Sequence, residues 1–374
     1  MEDVVSRIGR TVTERNLATP DSAVLLMVSG GSDSAALAYI AADLAAMGIL
    51  GNLAMLHVNH QLRGKDSDDD QGFVQKIADI LQIPLYICEI DIAGEARRSG
   101  DNVEALARHE RYLAANEALE SFCLHAGLPL AQGRIFTAHT QDDRVENFYM
   151  RSIVGTGPGG FRSMRYTNGP VARPCLEVSR EALREYLKTR AATRTPIARD
   201  EDDRLWRDDA TNAHTDRFRA FVRHEIVPLA KQRNPQLLDT LCRTMNLIAD
   251  EDDMLAARSA AVVDDCVTWL FEEGAQPDRS AGCTLAPSFG EVDIPLQRRA
   301  VVEVLQAMLG PDARVEAASV DDVISGFSEG VPVSGYANNI QGDLAISANK
   351  QGVRIEPMAA YRARRKKTAA AENE

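Results

Sequence analysis

Six residues near the start of the chain, Ser-Gly-Gly-Ser-Asp-Ser at Ser29–Ser34, combine the features of an anion-binding loop. They follow Val24–Val28, a short apolar run that predicts a buried strand. They precede Ala35–Leu44, which predicts a helix whose first turn Ser34 or Asp33 could cap. The two glycines leave backbone N–H groups uncovered, and the dipole of the helix points its positive end at the same spot. The stretch therefore predicts a phosphate site, with an ordinary polar strand-to-helix turn as the alternative.

The hexapeptide differs from two common phosphate-binding patterns. No Lys-Ser or Lys-Thr pair follows the second glycine, as a Walker A loop requires, and the three spaced glycines of a dinucleotide-binding fingerprint are absent. The remaining pattern is similar to the pyrophosphate loop of enzymes that split ATP into AMP and pyrophosphate.

A second group of chemically useful side chains lies in Ala-His-Thr-Gln-Asp-Asp-Arg-Val-Glu-Asn-Phe, which begins at Ala138. A helix that starts at Asp142 would place Asp143 and Glu146 on one face, close to His139. Two carboxylates at a helix N-terminus favour a cationic ligand, such as an ammonium group or hydrated Mg²⁺. The alternative is simple capping by acids that face solvent.

Two other segments carry basic or imidazole groups. Glu104, Arg108 and Arg111 are spaced by four and three residues, which is typical of a surface ladder of ion pairs but also suits arginines that bind phosphate. His57–Arg63 contains two histidines directly after a predicted strand, and it lacks the further ligands in register that a zinc site needs.

These groups are positioned by alternating strands and helices in the first half of the chain. The pattern predicts a parallel twisted sheet with helices on both faces, followed by a mainly helical region and a smaller α+β part. Ligands of such sheets gather beyond the carboxyl ends of the strands, where the unusual polar groups of this sequence fall. The predicted strands are Val24–Val28, Asn52–His60, Leu85–Ile92 and Arg134–His139, and the predicted helices between them are Ala35–Leu44, Asp69–Leu81, Asn102–His125 and Asp142–Ile153.

Composition narrows the class of protein. The 374 residues carry a net charge of −13, which argues against indiscriminate binding of nucleic acid. Residues 151–223 nevertheless contain 15 Arg and Lys against 10 Asp and Glu, and a second basic cluster lies near the end of the chain. Local basic patches on an acidic protein fit a selective nucleic-acid enzyme. The six cysteines never form C-x-x-C, and the N-terminus lacks the apolar core of a signal peptide, so we expect a cytoplasmic protein.

The motifs, taken in order, resemble those of the tRNA(Ile)-lysidine synthetases, a family of N-type ATP pyrophosphatases. The resemblance covers about 55% of the chain, from Val24 to Leu229. It rests on S-G-G-S-D-S, H-V-N-H-Q-L-R-G, A-R-H-E-R-Y and A-H-T-Q-D-D-R-V-E-N, and on a last pattern formed by Asp209, Thr211, Asn212, Arg219, Arg223 and Pro228.

The resemblance implies a specific reaction. Enzymes of this family convert the wobble cytidine of an isoleucine tRNA with a CAU anticodon into lysidine. ATP adenylates the C2 oxygen of the cytosine, and the ε-amine of free lysine then displaces AMP. ATP and Mg²⁺ are the expected cofactors, tRNA(Ile) and L-lysine the expected partners, with no membrane and with a homodimer left open.

The resemblance also implies roles for individual residues. Asp33 would hold the metal, Asp143 and Glu146 would bind lysine with His139 beside them, and the arginines would stabilise phosphate or contact tRNA. The expected ATP-binding residues are Ser29, Gly30, Gly31, Ser32, Asp33, Ser34, His57 and Asn59. The expected catalytic residues are Asp33, His139, Asp143, Glu146, Arg108 and Arg111, and the expected tRNA-binding residues are Arg173, Arg217, Arg219 and Arg223.

The resemblance together with the composition of the tail predicts a division of the chain. We expect a catalytic domain in 1–212, a helical tRNA-binding linker in 213–290, a small recognition region in 291–358 and a basic disordered tail in 359–374. The sequence departs from the family at Gln61, Asn147 and Ala220, none of which removes a charged participant.

Three other functions are alternatives. A tRNA thiolase with the same loop generally uses a cysteine pair or an iron–sulfur cluster, and the sequence has no C-x-x-C. A glutamine-dependent synthetase would use an N-terminal cysteine, whereas residue 2 is Glu2. A catalytically inactive RNA-binding homologue is the third alternative.

Overall fold

The computed structural model describes residues 3–62, 64–100, 102–193, 195–207, 217–270, 279–310 and 313–371. The chain divides into two compact units, 1–249 and 250–374. The helices are α1 Val4–Glu14, α2 Ser32–Ala46, α3 Lys65–Leu81, α4 Ile92–Ser99, α5 Val103–Ala126, α6 Gln141–Val154, α7 Arg180–Ala192, α8 Arg217–Phe221, α9 Val227–Arg233, α10 Leu237–Cys266, α11 Ile294–Leu309, α12 Ala317–Ile324 and α13 Met358–Ala371. The strands are β1 Ala23–Met27, β2 Asn52–Asn59, β3 Leu85–Glu89, β4 Gly133–Phe136, β5 Thr167–Asn168, β6 Val171–Ala172, β7 Val267–Trp269, β8 Cys283–Leu285, β9 Phe327–Ser328, β10 Val331–Pro332, β11 Ala337–Ile340, β12 Leu344–Asn349 and β13 Gly352–Pro357.

The first unit is built on a six-stranded sheet in the order β3-β2-β1-β4-β6-β5. The strands are parallel except that β5 pairs antiparallel with β6. In β1, Val24 and Leu26 enter the core on one face, and Ala23 and Leu25 enter the core on the other. Both faces are covered by helices, as the continuous apolar run predicted, and the predicted fold class is confirmed.

The sheet reverses its strand order around β1, which places the ends of β1 and β4 side by side. β2 lies on one side of β1 and β4 lies on the other. The chain that leaves β1 enters α2, and the chain that leaves β4 enters α6. Such a switch point opens a crevice beyond the carboxyl ends of the strands.

Local details correct one expectation and add helices that were not predicted. α2 begins at Ser32 with Gly31 as its N-cap, and no side chain caps it, so the predicted capping by Ser34 or Asp33 is wrong. The helices that were not predicted include α1, which Asp3 caps, and α4, which Asp91 caps. α4 has only 8 residues, and so short a helix gives a weak periodic signal.

A π-helical segment, Val222–Ile226, lies between α8 and α9. Pro228 occupies the first turn of α9, and proline supplies no backbone N–H to the preceding turn. The widened turn satisfies this constraint without breaking the helical path. Arg219 precedes the segment and Arg223 lies within it.

The second unit contains a five-stranded sheet in the order β11-β12-β13-β8-β7, with antiparallel neighbours. α11 and α12 bury Val301, Leu305 and Val323 against it. The expected boundaries after 212, 290 and 358 do not separate the compact units, and as functional divisions they stay predictions.

The prediction of a disordered tail is wrong for Met358–Ala371, which forms α13. Met358 is buried, and its N–H donates to the Asp343 carbonyl at 2.8 Å. Arg364 donates through Nε to Glu356 Oε1 at 2.9 Å and through Nη2 to Ser347 Oγ at 3.0 Å. Glu356 is only 1% exposed and also pairs with Arg354 at 3.1 Å, and its contact with Arg364 ties the helix to the sheet.

Candidate functional site

The loop after β1 is held by its own side chains and leaves the start of α2 open. The Ser34 hydroxyl accepts from the Ser29 N–H and donates to the Gly31 carbonyl, both at 3.1 Å. Gly30 has φ +88°, which disfavours residues with a Cβ. Since no side chain caps α2, its first-turn N–H groups remain available to an anion.

Two arginines from later in the chain support this loop. The Arg207 N–H donates to the Gly30 carbonyl at 3.0 Å, while its Nε donates to Asp70 Oδ1 at 2.7 Å. Arg184 donates through Nε to Ser32 Oγ at 3.2 Å and lies over the Trp206 ring. These two contacts, from residues more than 100 positions away in the sequence, add to the hydrogen bonds within the loop.

The carboxylates of α6 lie beside the loop, and the predicted common face of Asp143 and Glu146 exists. Thr140 caps the helix, and Asp143 completes the capping box by accepting from the Thr140 N–H at 2.8 Å. Both carboxylates are buried, with 8% exposure for Asp143 and 2% for Glu146. The alternative prediction, that these acids face solvent, is therefore wrong for Asp143 and Glu146.

Arg180, at the start of α7, connects the loop with α6. Its Nε donates to Asp33 Oδ2 at 2.9 Å and its Nη2 donates to Asp143 Oδ1 at 3.2 Å. Its Nη1 lies 3.9 Å from Glu146 Oε1. Its backbone N–H donates to Asp142 Oδ2 at 2.8 Å, which fixes the start of α7 against the start of α6.

Two further arginines bind the same α6 carboxylates. Arg219 donates through Nη2 to Asp143 Oδ1 and through Nε to Glu146 Oε2, both at 2.8 Å. Arg223 donates through Nε to Glu146 Oε1 at 2.7 Å and through Nη2 to Glu146 Oε2 at 2.9 Å. We call the three acids and three arginines the carboxylate–arginine cluster; its members are Asp33, Asp143, Glu146, Arg180, Arg219 and Arg223.

Burial and charge shift the pKa values in this cluster in different directions. Burial raises the pKa of Asp33 and outweighs the nearby Arg180. Burial also acts to raise the pKa of Asp143, but Arg180, Arg219, His139 and the Thr140 N–H together bring it below the ordinary value. Asp143 is therefore an ionised carboxylate at neutral pH.

His139 is neutral at the site. Burial lowers its pKa to about 4, and the positive charges of Arg173, Arg219 and Arg108 contribute to the shift while Asp143 opposes it. Its Nδ1 lies 2.9 Å from Thr137 Oγ1. A neutral imidazole carries a free lone pair and can accept a proton.

The end of β2 lies next to the loop, and its side chains are tied into the sheet. The His57 ring is buried, with Nδ1 2.9 Å from the Val28 carbonyl, and burial lowers its pKa. Asn59 is also buried and donates to Gln71 Oε1 at 3.0 Å. Arg111 reaches the same region, with Nη2 3.3 Å from Nε2 of His60.

The other arginines that were predicted to bind phosphate or tRNA are not members of the carboxylate–arginine cluster. Arg108 is exposed and lies over the Tyr112 ring. Arg173 is 9% exposed and donates to the Arg165 carbonyl at 2.9 Å. Arg217 begins α8, and its side chain lies outside what the structure describes, as do Asp209, Thr211 and Asn212 of the sequence motif.

Arg180, Arg184 and Arg207 were not predicted as site residues. Ser179 caps α7, because its Oγ accepts from the Ala182 N–H. That cap was the available signal for Arg180, because a residue directly after a cap lies at the end of a helix where ligands are commonly bound.

Cys175 interacts electrostatically with two carboxylates of the cluster. Cys175 is buried, and burial together with the charges of Asp33 and Asp143 raises the pKa of its thiol. A reactive cysteine needs a lowered pKa and access to solvent. All six cysteines are free thiols.

No group of three or more His, Cys, Asp or Glu in the described part of the chain could hold a metal ion by itself. Mg²⁺ does not require such a group, because it is commonly held by one or two carboxylates and the phosphates of a nucleotide. The carboxylate of Asp33, in the loop, fits that mode.

None of the described helices is both long and apolar enough to cross a membrane.

Similarity to known proteins agrees with this geometry. The tRNA(Ile)-lysidine synthase of Xanthomonas axonopodis pv. citri is 32% identical over 255 residues, which are 67% of this chain and 52% of that protein. The enzyme of the same name from Porphyromonas gingivalis is 31% identical over 243 residues, 64% of this chain and 48% of its own. The one from Thermus thermophilus is 31% identical over 242 residues, 65% and 42% respectively. The chain spans about half the length of the curated relatives it matches.

A solved structure, the U34-tRNA thiolase NcsA from Methanococcus maripaludis, aligns with a TM-score of 0.48 at 14% identity, over 66% of this chain and 78% of that one.

A parallel sheet with an uncapped glycine loop at its switch point defines an α/β protein of the nucleotide-binding kind. The model of one such family, described as a PP-loop domain, matches residues 2–230. The chain belongs to the PP-loop family, and the predicted resemblance to tRNA(Ile)-lysidine synthases is confirmed.

Proposed function

We propose that this chain is an ATP-dependent ligase that joins free L-lysine to C2 of the wobble cytidine of tRNA(Ile) with a CAU anticodon. The observation that carries the proposal is the pair of buried carboxylates, Asp143 and Glu146, beside an uncapped phosphate loop. Carboxylates suit the ammonium group of lysine, and the loop suits the anionic leaving group. The names of the similar proteins support the same reaction.

The first step is activation of the base. The C2 oxygen of the cytosine attacks the α-phosphorus of ATP, a P–O bond forms, and the P–O bond to pyrophosphate breaks. The first-turn N–H groups of α2 would bind the pyrophosphate, as helix N-termini bind anions. Asp33 would hold Mg²⁺, which neutralises negative charge on the leaving group.

The second step is attack by lysine. The ε-ammonium group loses one proton, the amine attacks C2, and the C–O bond to AMP breaks as the C–N bond forms. A second proton leaves the nitrogen as AMP departs. Asp143 and Glu146 would orient the amine, and His139 is the neutral group beside them that can accept a proton.

The main alternative is sulfur transfer by a thiolase with the same loop. Such chemistry needs a reactive thiolate or a cluster, whereas burial and the carboxylates of Asp33 and Asp143 raise the pKa of the Cys175 thiol. Cys175 therefore does not support sulfur transfer.

Incorporation of radiolabelled lysine tests the proposal. The chain is incubated with ATP, Mg²⁺ and a transcript of tRNA(Ile) with a CAU anticodon, and an elongator methionine tRNA serves as the control. We expect label on the isoleucine tRNA alone, with AMP formed. AMP formed with another RNA and no lysine label would retain ATP cleavage and reject lysine, and no product with any RNA would favour an inactive RNA-binding homologue.

A further inference from the structure

Arg180 is the side chain that holds the two parts of the site together. Its guanidinium group lies within 3.2 Å of the carboxylates of both Asp33 and Asp143 and 3.9 Å from that of Glu146. Among the described residues, Arg219 and Arg223 contact only the α6 carboxylates of the cluster. Arg180 is therefore the cation that links the phosphate loop to the proposed lysine pocket.

The charges of the cluster balance. Three guanidinium groups face three carboxylates, and every carboxylate accepts at least one short hydrogen bond from an arginine. Buried ions are stable only when they are paired in this way. An ammonium group that approaches Asp143 or Glu146 must therefore displace an arginine, and the displaced arginine then needs another anion.

The phosphate of a nucleotide bound at the loop is the anion with which a displaced Arg180 would pair. Arg180 already contacts Asp33, which lies in the first turn of α2 at the predicted phosphate site. Its side chain is 22% exposed, so the guanidinium group is accessible from solvent. Arginine binds phosphate with two parallel hydrogen bonds and retains its charge throughout.

We propose that Arg180 is a positioning residue that makes lysine binding depend on prior binding of nucleotide. Phosphate in the loop draws the guanidinium group of Arg180 away from Asp143 and Glu146, and these carboxylates then accept the ammonium group. The inference rests on the proposed function, because it takes lysine and ATP as the two ligands. It assigns an order: nucleotide first, lysine second.

Equilibrium dialysis tests this order. Binding of radiolabelled lysine to the full chain is measured with and without a non-hydrolysable ATP analogue and Mg²⁺. In the wild type we expect lysine to bind about 10-fold more tightly with the analogue, equivalent to about 1.4 kcal/mol of coupling. We expect this ratio to fall to about 2-fold or less in Arg180→Gln, chiefly because lysine binds more tightly without the analogue, and to recover in part in Arg180→Lys.

Lys188→Gln is the matched control, since Lys188 is an exposed cation on the same helix and pairs with Glu185, 3.7 Å away, rather than with the loop or a carboxylate of the cluster. It should keep the wild-type ratio. Thermal unfolding of each variant separates loss of folding from loss of coupling, and the wild-type ratio alone tests the order if a variant does not fold.

Each outcome has a distinct meaning. Equal lysine affinity with and without the analogue in the wild type would overturn the order and leave the proposed function intact. An unchanged ratio in Arg180→Gln would overturn the role of Arg180. No lysine binding to the wild type under either condition would overturn the proposed function and this inference with it.

Discussion

The phosphate loop and the carboxylate–arginine cluster are neighbours that are built in different ways. The loop is made from six consecutive residues, and its hydrogen bonds join Ser29, Gly31 and Ser34. The cluster draws its members from α2, α6, α7 and the α8–π segment, and Asp33 and Arg180 are 147 residues apart. A local motif thus supplies the anion site, while the cation site depends on the whole first unit folding.

The loop and the cluster also differ in the groups that they offer to a charged ligand. The loop offers uncapped backbone N–H groups, which attract an anion at little cost because no buried ion has to be displaced. The cluster offers ionised groups that are already paired, so any ligand must exchange for a partner. We infer that the loop sets the affinity for nucleotide and that the cluster sets the conditions for lysine.

The largest effect is expected for Asp33→Asn, which removes a charge where the two regions meet. Asn keeps the size of the side chain but is a poor ligand for Mg²⁺, so AMP formation with tRNA and lysine should fall by about 100- to 1000-fold. Filter binding of the tRNA should be unchanged. Wild-type AMP formation by this variant would contradict the assignment of Asp33 to the metal.

The next largest effect is expected for Glu146→Gln, which tests the cluster alone. Loss of one charged acceptor should raise the KM for lysine by about 10- to 100-fold, while adenylation of the tRNA changes little. Glu185→Gln, an exposed change on α7, is the matched control and should behave as the wild type. If the KM for lysine stayed at the wild-type value, the amine pocket would have to lie elsewhere.

A smaller effect is expected for Ser34→Ala, which tests the loop alone. The change removes the acceptor for the Ser29 N–H and the donor to the Gly31 carbonyl. Loss of about 1 kcal/mol of hydrogen bonding should raise the KM for ATP about 5-fold and leave the KM for lysine unchanged. Ser152→Ala, on the exposed side of α6, is the control. Equal effects on both KM values would show that the two regions are not separable.

Stability, rather than activity, is expected to change with pH. Burial lowers the pKa of His139 to about 4, so the unfolded chain binds a proton between about pH 6.5 and 4 that the folded chain does not. The free energy of unfolding should therefore decrease as the pH falls through this window, with up to about 3 kcal/mol from His139. Denaturant unfolding of wild type and His139→Gln at pH 7 and pH 5 measures the difference, and the variant should lose less. An equal loss in both proteins would contradict a neutral buried His139.

The contrast between the regions also explains what the sequence could predict. The strands, the loop and the common face of Asp143 and Glu146 were predicted because each depends on short-range spacing. The pairing of Arg207 with Asp70 and of Arg180 with Asp33 was not predicted, because both join residues more than 130 positions apart. One sequence carries no spacing rule for such contacts.

Local competition explains the remaining errors. Asp33 and Ser34 are good capping residues, yet Gly31 occupies the cap and the loop uses Ser34 to bind Ser29 and Gly31 instead. The basic composition after Met358 suggested disorder, but a single buried acid, Glu356, orders the helix by pairing with Arg364. In both places a specific partner outweighs the average preference of the residues.

The most direct test of the division between loop and cluster is a two-stage assay on tRNA(Ile) with a CAU anticodon. Pyrophosphate release is measured first without lysine, and transfer of radiolabelled lysine is measured after its addition. We predict that the wild type releases pyrophosphate in the first stage and transfers lysine in the second, that Ser34→Ala slows the first, and that Glu146→Gln slows only the second. Loss of the same stage in both variants would contradict the division.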